Sequence, residues 1–361
     1  MTTPPMRVLH LNPTADFGGV EVMILSFLDR SRKRGDSTAV AMSPGKWTPK
    51  FQDRADYWFD LPQVGRDIKR LPKLVAEIRR IIRSFQPDVI HAHNPTMMLA
   101  ALMALGLRAP GLIGTLHGNE EGDYRREAFI GHAFKLRGKV TVCSPCIGAE
   151  LSRFGLNEHT VITNGISPAP AAISRAECAQ KFDVDPDSPI IVGVGRLVTM
   201  KRWQLAIAAM PKVPEASLVI FGEGDQRAIL EQQIAELGVS DRVKLPGAVS
   251  NVRSYTAAAD AAIVTSRGEG FSLAVLEHLD VGLPVVASDV PGITDVVNDD
   301  SAWIIDAENP DSIAAALKEI MAGGPNVEER IAAGRDIAHN STEEAMIDKY
   351  FALYEQVRAR K

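Results

Sequence analysis

Short apolar runs alternate with helix-spaced stretches along this chain, and the plan occurs twice. In the first half, strand-like runs fall at 7–11, 38–42, 88–92, 112–116, 139–143 and 160–163, with helical stretches such as 19–33 and 67–85 between them. In the second half the runs lie near 190–194, 217–221, 242–245, 261–265, 284–287 and 302–305. Helical spacing intervenes at about 201–211, 225–237, 272–281 and 311–321. A strand that is apolar on both faces must be covered on both faces. Strands alternating with helices therefore predict parallel sheets between helix layers. At 361 residues the chain is long for one core and comfortable for two. The expected architecture is α/β, with doubly wound domains at 1–165 and 166–342. They are joined after Asn164-Gly165 by the proline-bearing stretch ISPAPAAIS. A ligand is expected in a cleft between the domains, at the carboxyl ends of their strands.

Composition excludes several classes. Charged residues are 24% of the chain and apolar ones 45%, as in ordinary soluble proteins. No run reaches the ~18 consecutive apolar residues of a membrane span. The opening MTTPPMRVLHLNP lacks the apolar core of a secretory signal. Three cysteines, an odd number, argue against a disulfide framework and for a reducing compartment. A cytoplasmic protein is expected. Cys143 and Cys146 form a C-x-x-C at a strand–helix corner, with Ser144 placed as N-cap and Pro145 as first helical residue. They read as small packing residues, with a redox pair as the alternative.

The net charge is −5, but the first half is basic and the second acidic. Basic residues concentrate at Arg30, Arg32, Lys33 and Arg34, and in 66–83. There Leu71, Leu74, Val75, Ile78, Ile81, Ile82 and Phe85 keep helical spacing. One interpretation of 66–83 is a sheet-covering helix with its basic face in water. The other is peripheral contact with an anionic membrane, on its inner face. No aromatic-interleaved basic patch supports a nucleic-acid partner.

Residues 267–290, RGEGFSLAVLEHLDVGLPVVASDV, carry the strongest chemical signal. Glu269 lies in a loop that feeds a helix, and Glu277 lies along that helix. Ser272 is placed as N-cap; Leu273, Val275, Leu276 and Leu279 give the apolar face; Gly282 ends the helix. The N–H groups after Gly270, around Phe271, Ser272 and Leu273, suit a phosphate. A carboxylate at each end can accept from hydroxyls. A phosphate flanked by hydroxyl-bearing rings describes a nucleotide-sugar. Arg196 and Lys201, at a strand end and a helix start, suit its diphosphate. Gly18-Gly19 after the first strand would let backbone approach a phosphate or sugar, and its spacing is not that of G-x-G-x-x-G. His117, in TLHG, and His93, in IHAHNP, end strands; His91 is expected inside.

This set resembles the E-x7-E signature of retaining glycosyltransferases with two Rossmann-like domains facing each other across a cleft, the GT-B fold. Glycosyltransferase family 4 is the nearest match. The resemblance is carried, in order, by Gly18-Gly19, the His93 and His117 regions, VITNGI at 161–166, GRLVTMK at 195–201, FGEG at 221–224 and Glu269 with Glu277. It implies a hexosyl transfer from a UDP-sugar or GDP-mannose to an acceptor hydroxyl of a glycan, glycolipid or small-molecule glycoside, with retention of configuration. Glu269, His117, Arg196 and Lys201 would be catalytic, with Glu277 on the ribose. Gly18, Gly19, Gly222, Gly270, Phe271, Ser272, Leu273 and Val249 would contact the donor. By the same resemblance no metal or other cofactor is needed, and the C-terminal helix, 343–361, packs back on the first domain. Asp183, Asp185 and Asp187 mimic the carboxylates of metal-dependent glycosyltransferases, but their proline-containing setting reads as an acidic turn. The competing functions are a GT-B epimerase or phosphorylase, or a non-catalytic nucleotide-sugar sensor. The acceptor would be read by loops that include 43–60 and 118–128.

Overall fold

The computed structural model describes residues 5–16, 18–63, 68–105, 110–118, 123–306 and 308–358. Contacts divide the chain into two compact units. The first runs to Asn164 and takes in the chain from Glu343 on; the second is Gly165–Thr342.

The first unit is built on seven strands: β1 (Arg7–Thr14), β2 (Ser37–Ser43), β3 (Tyr57–Asp60), β4 (Val89–Ala92), β5 (Gly111–Leu116), β6 (Lys139–Val142) and β7 (Thr160–Val161). They lie in the order β3-β2-β1-β4-β5-β6-β7, and the pairs are parallel. The second unit has β8 (Ile190–Val194), β9 (Ser217–Phe221), β10 (Val243–Gly247), β11 (Ala261–Val264), β12 (Val285–Ser288) and β13 (Trp303–Ile305). Their order is β10-β9-β8-β11-β12-β13, again parallel. Each sheet reverses its winding once, between β1 and β4 and between β8 and β11. Such a reversal leaves a crevice at the carboxyl ends of the two strands.

Alternation along the second unit's strands explains why they are apolar on both faces. Ile190 and Val192 enter one core cluster, with Val219, Phe221, Val264, Val275, Leu276 and Leu279. Ile191 points the other way, to Leu218, Ile220, Ile263, Trp203 and Leu317.

In the first unit, helix Leu71–Phe85 buries Leu74, Val75, Ile78, Ile81 and Phe85. Its basic face is tied down locally: Arg79 donates to the carbonyls of Met103 and Ala104, and Arg80 pairs with Glu77. Residues 66 and 67 of the basic segment lie outside the described residues. No helix among the described residues is long and apolar enough to cross a membrane.

Helix Glu343–Arg358 belongs to the first unit. Tyr350, Phe351, Tyr354 and Val357 join Met6, Val8, Phe27 and Ile113 in one cluster. Arg30 pairs with Glu344 and Asp348, and Arg34 with Glu355, fixing the helix from outside. Tyr354 and Thr115 hydroxyls each sit 2.7 Å from a ring nitrogen of His91. Phe27, fully buried, stacks on His10 and meets the ring of Tyr350 edge-on. Phe27→Ala should therefore cost about 3–5 kcal/mol, the usual range for a buried aromatic. Denaturant unfolding of the full chain, followed by tyrosine and tryptophan fluorescence, measures it.

Candidate functional site

The crevice of the second unit is built from the loops that leave β8 and β11. After β8 the chain turns through Gly195, Arg196 and Leu197 into a short 3₁₀ turn, Thr199–Lys201. Lys201 therefore ends a 3₁₀ turn and does not open a helix. The helix proper, Trp203–Ala209, starts after Arg202, whose φ is +49°. Fully buried Trp203 sets this geometry, its Nε1 donating 3.0 Å to the Arg196 carbonyl. The Arg196 side chain is exposed at the end of the strand.

After β11 the chain passes through buried Thr265 and Ser266 to Glu269. Here the two loops meet. Lys201 Nζ lies 2.5 Å from Glu269 Oε1, and Ser266 Oγ donates to the same oxygen at 2.7 Å. Both charged side chains are largely enclosed, with 20% and 15% exposure. Thr265 Oγ1 bonds the carbonyls of Lys201 and Arg202 at 2.8 and 3.2 Å. Arg202, next to Lys201, is a structural clamp. Its guanidinium is buried, donates to the carbonyls of Thr265 and Ser266, and pairs with Glu308.

Helix Leu273–Asp280 follows. Ser272 holds the N-cap position, but its side chain caps nothing, and its enclosed Oγ has no partner among the described residues. The expected side-chain cap bond is absent, although Asn94 and Ser144 make theirs. The first turn thus keeps N–H groups that no cap has taken. Two of the three N–H groups assigned to a phosphate from sequence are used within the chain. Ser272 donates to the Gly292 carbonyl at 3.0 Å, and Leu273 to that of Phe271 at 3.1 Å. Phe271, Leu273 and Val249 pack their side chains on the same core cluster, which draws the β10 loop and the helix start onto one body. Glu277 lies one face along the helix. Burial pushes its carboxyl above the usual range, and nearby Arg253 pulls it back.

Two glycines make the loops fit. Gly222, after β9, has φ +150°, and a Cβ there would meet the Gly195 carbonyl oxygen at 1.9 Å. Gly292, after β12, has φ +82°, and its Cβ would strike the Glu269 carbonyl oxygen at 2.2 Å. The backbone bonds Gly195 N–H to Phe221 O and Leu197 N–H to Glu223 O need that closeness.

The first unit has its own crevice. Gly18 is the N-cap of helix Gly19–Arg34 with extended backbone, so its value is room: a Cβ would lie 2.4 Å from Glu21 Oε2. Glu21 is buried, takes a 2.7 Å bond from Asn12 Nδ2, and is held above its usual pKa by burial. His117 follows β5; its ring is partly open, while Nε2 is enclosed and has no partner among the described residues. Burial lowers its pKa to about 4, so the ring is neutral at pH 7. His93 is buried, with Nε2 3.1 Å from His10 Nδ1, and His91 is fully inside.

His10, His91 and His93 could offer ring nitrogens to an ion within 4.8 Å of one another. Yet both nitrogens of His91 are engaged by hydroxyls, and the nitrogens joining His10 and His93 are spent on each other. The remaining nitrogens, His10 Nε2 and His93 Nδ1, are enclosed with no partner among the described residues. The acidic run is a turn: Asp185 accepts from Asp187 N–H and Ser188 Oγ, and Asp183 pairs with Lys244. Cys143, Cys146 and Cys178 form no disulfide.

Sequence reasoning overlooked Ser266, Asn12, Glu21 and Arg253. Only Glu21 left a trace, as an acidic residue in the first turn after the glycine pair. Gly222→Ala should disturb both loops at once. The expected loss of stability is on the order of 1–3 kcal/mol, from strained backbone and a backbone clash. A lowered thermal midpoint with unchanged far-UV circular dichroism below it would show this.

Comparison with known proteins places these features. Residues 17–169 match the family model of Glycosyltransferase Family 4, and residues 174–336 that of Glycosyl transferases group 1. The chain is 27% identical to the lipopolysaccharide core biosynthesis glycosyltransferase LpsD of Rhizobium meliloti (strain 1021), over 99% of this chain and 100% of the relative. A glycosyltransferase from Rickettsia africae ESF-5 has the same fold, with a TM-score of 0.85 at 16% identity over 98% of this chain and 99% of that one. So does Anabaena Alr3699/HepE, solved with UDP and glucose, at a TM-score of 0.83 and 19% identity over 96% of this chain and 98% of that one.

Proposed function

We propose, for a chain that belongs to glycosyltransferase family 4 and has the GT-B fold, that it is a retaining, metal-independent hexosyltransferase. Family membership makes it a glycosyltransferase with a nucleotide-sugar donor. The donor is a UDP-sugar or GDP-mannose, and UDP is the first candidate because Alr3699/HepE was solved with UDP and glucose. The acceptor is a hydroxyl of a glycan, glycolipid or small-molecule glycoside.

The observation that carries the mechanism is the Lys201–Glu269 pair at the reversal of the second sheet. In the ligand-free chain each charge neutralises the other. A diphosphate arriving over the helix start would take Lys201, and would leave Glu269 to accept from sugar hydroxyls. Arg196 at the β8 end would add a second cation, and the uncapped first turn of the helix, from Gly270 on, would hold the distal phosphate. Glu277 would take the two ribose hydroxyls, with Val249 and Gly222 beside the nucleotide. In the first unit, neutral His117 has an unpartnered ring nitrogen for a sugar hydroxyl, and Gly18 and Gly19 offer backbone.

The step forms a bond from the acceptor oxygen to the anomeric carbon on the face the diphosphate leaves. The carbon–oxygen bond breaks with its electron pair going to the phosphate, which also takes the hydroxyl proton. Charge therefore grows on the leaving group, where Lys201 and Arg196 would act most strongly in the transition state. A covalent glycosyl-enzyme is the alternative route to the same stereochemistry.

Turnover of UDP-glucose, other UDP-hexoses and GDP-mannose, with NMR of the product, tests this. The α-linked donor should give an α-linked product at full rate in EDTA. An inverted anomer removes the retaining assignment. Loss of rate in EDTA with recovery in Mg²⁺ or Mn²⁺ removes the metal-free one.

Lys201→Ala should lower kcat by about 10²-fold, the usual loss for one preorganised charge donor. Steady-state kinetics would show this as a fall in kcat larger than any rise in KM. A change confined to KM would assign Lys201 to ground-state binding alone.

A further inference from the structure

The face of helix Leu273–Asp280 that carries Glu277 also carries Asp280, three residues on. Arg253, from the short helix Val252–Thr256, reaches this face. One Nη of Arg253 pairs with the Asp280 carboxylate, and both side chains are nearly enclosed, with 11% and 14% exposure. The other Nη donates 2.6 Å to the carbonyl of Ser167 and 3.5 Å to that of Pro168. Its Nε–H is enclosed without a partner among the described residues. The Glu277 carboxylate takes no hydrogen bond among the described residues.

We propose that Arg253 is a positioning residue for the nucleotide site, keeping the Glu277 carboxylate charged and its helix anchored so that it can accept from ribose hydroxyls. This rests on the assignment of Glu277 to the ribose made above. The physical reason is a balance of three charges. Burial disfavours the charged form of Glu277, the Asp280 carboxylate adds repulsion, and Arg253 alone opposes both. The other ionisable groups nearby do not help. His278, next along the helix, is buried and held near pKa 4, hence neutral. Arg335, from helix Pro325–Asn340, lies against Gly282, beyond the helix end. Without the guanidinium, two carboxylates on one partly desolvated face would have no counter-charge, and such pairs retain a proton. A protonated Glu277 cannot accept from two hydroxyls with full strength.

The direction of the effect follows. Ribose binding through Glu277 needs the charged form, so affinity is lost as pH falls through its pKa. Removing Arg253 raises that pKa, so the loss begins at higher pH. The full-length wild type and the variants R253M, R253K, R253M/D280N and E277Q should be titrated calorimetrically with UDP and with GDP, from pH 5 to 8, using the tighter nucleotide. R253M should move the acid limb of affinity up by about one pH unit, equal to roughly a tenfold weaker Kd within the limb. R253K should keep the limb close to wild type. R253M/D280N should return it part of the way, since it also removes the repelling carboxylate. E277Q should bind weakly and keep only the limb of the nucleotide's own terminal phosphate, which titrates at about pH 6. A merely structural Arg253 would lower the melting temperature, or weaken binding equally at all pH, and leave the limb in place; that result overturns the proposal. If E277Q binds as tightly as wild type, or neither nucleotide binds wild type, the ribose assignment falls first and this inference with it.

Discussion

The second sheet reverses its winding between β8 and β11, and the loops that leave these neighbouring strands therefore have no crossover helix lying over them. Ala261 pairs with Ile191 although the two lie far apart in sequence. That register puts Gly195–Lys201 and Thr265–Glu269 side by side. The Lys201–Glu269 contact is a consequence of this adjacency, not its cause. Desolvation of an enclosed ion pair offsets much of its Coulombic gain, so the pair contributes little to stability on its own. What holds the loops is backbone: Thr265 Oγ1 on the carbonyls of Lys201 and Arg202, buried Arg202 on the carbonyls of Thr265 and Ser266, and Gly222 pressed against Gly195. The charges are free to serve a ligand because they are not needed to hold the loop.

Much of this was legible because the signals are local. The apolar strands, Gly282 as a helix stop and the two glutamates all depend on residues close in sequence. Helix Leu273–Asp280 begins one residue after its expected cap and ends two residues before its expected stop. What stayed hidden depends on partners distant in sequence. Arg253 is an ordinary polar residue of a short helix until the fold brings Asp280 and the Ser167 carbonyl to it. Ser266 looks like any small residue after a strand. β3, Tyr57–Asp60, was read as loop: it is a short edge strand, half-exposed, and its pairing with β2 supplies what its own pattern lacks. Ser272 is the instructive miss. Its type and place announce a cap, and it holds the N-cap position, but its Oγ makes no cap bond.

The two units treat buried ionisable groups in opposite ways. In the first, histidines accumulate at the reversal between β1 and β4, because His10 and His91 are register partners and His93 follows on the same face. Burial drives His10 to about 3 and His117 to about 4, so at pH 7 these rings are neutral donors and acceptors. A neutral ring can be desolvated at small cost and still orient a hydroxyl. In the second unit, two enclosed carboxylates have cationic counterparts: Glu269 has Lys201 at the reversal, and Asp280 has Arg253 at the far end of its helix.

That difference fits what each crevice would have to recognise. Sugar hydroxyls are neutral and need many directional, uncharged partners. A diphosphate is anionic and cannot enter a neutral apolar crevice without paying its own desolvation. A site built from a cation already paired to a carboxylate avoids an isolated buried charge while empty. In the proposed mechanism an arriving phosphate would replace the carboxylate as partner of Lys201, so the cation would not be left alone. Glu269 then needs new donors, and hydroxyls of the attached sugar are the donors a nucleotide-sugar brings with it. A free nucleotide supplies the phosphate without them. On this proposal the exchange would be complete only with the intact donor, which would tie the charge rearrangement at Lys201 to the presence of a transferable sugar.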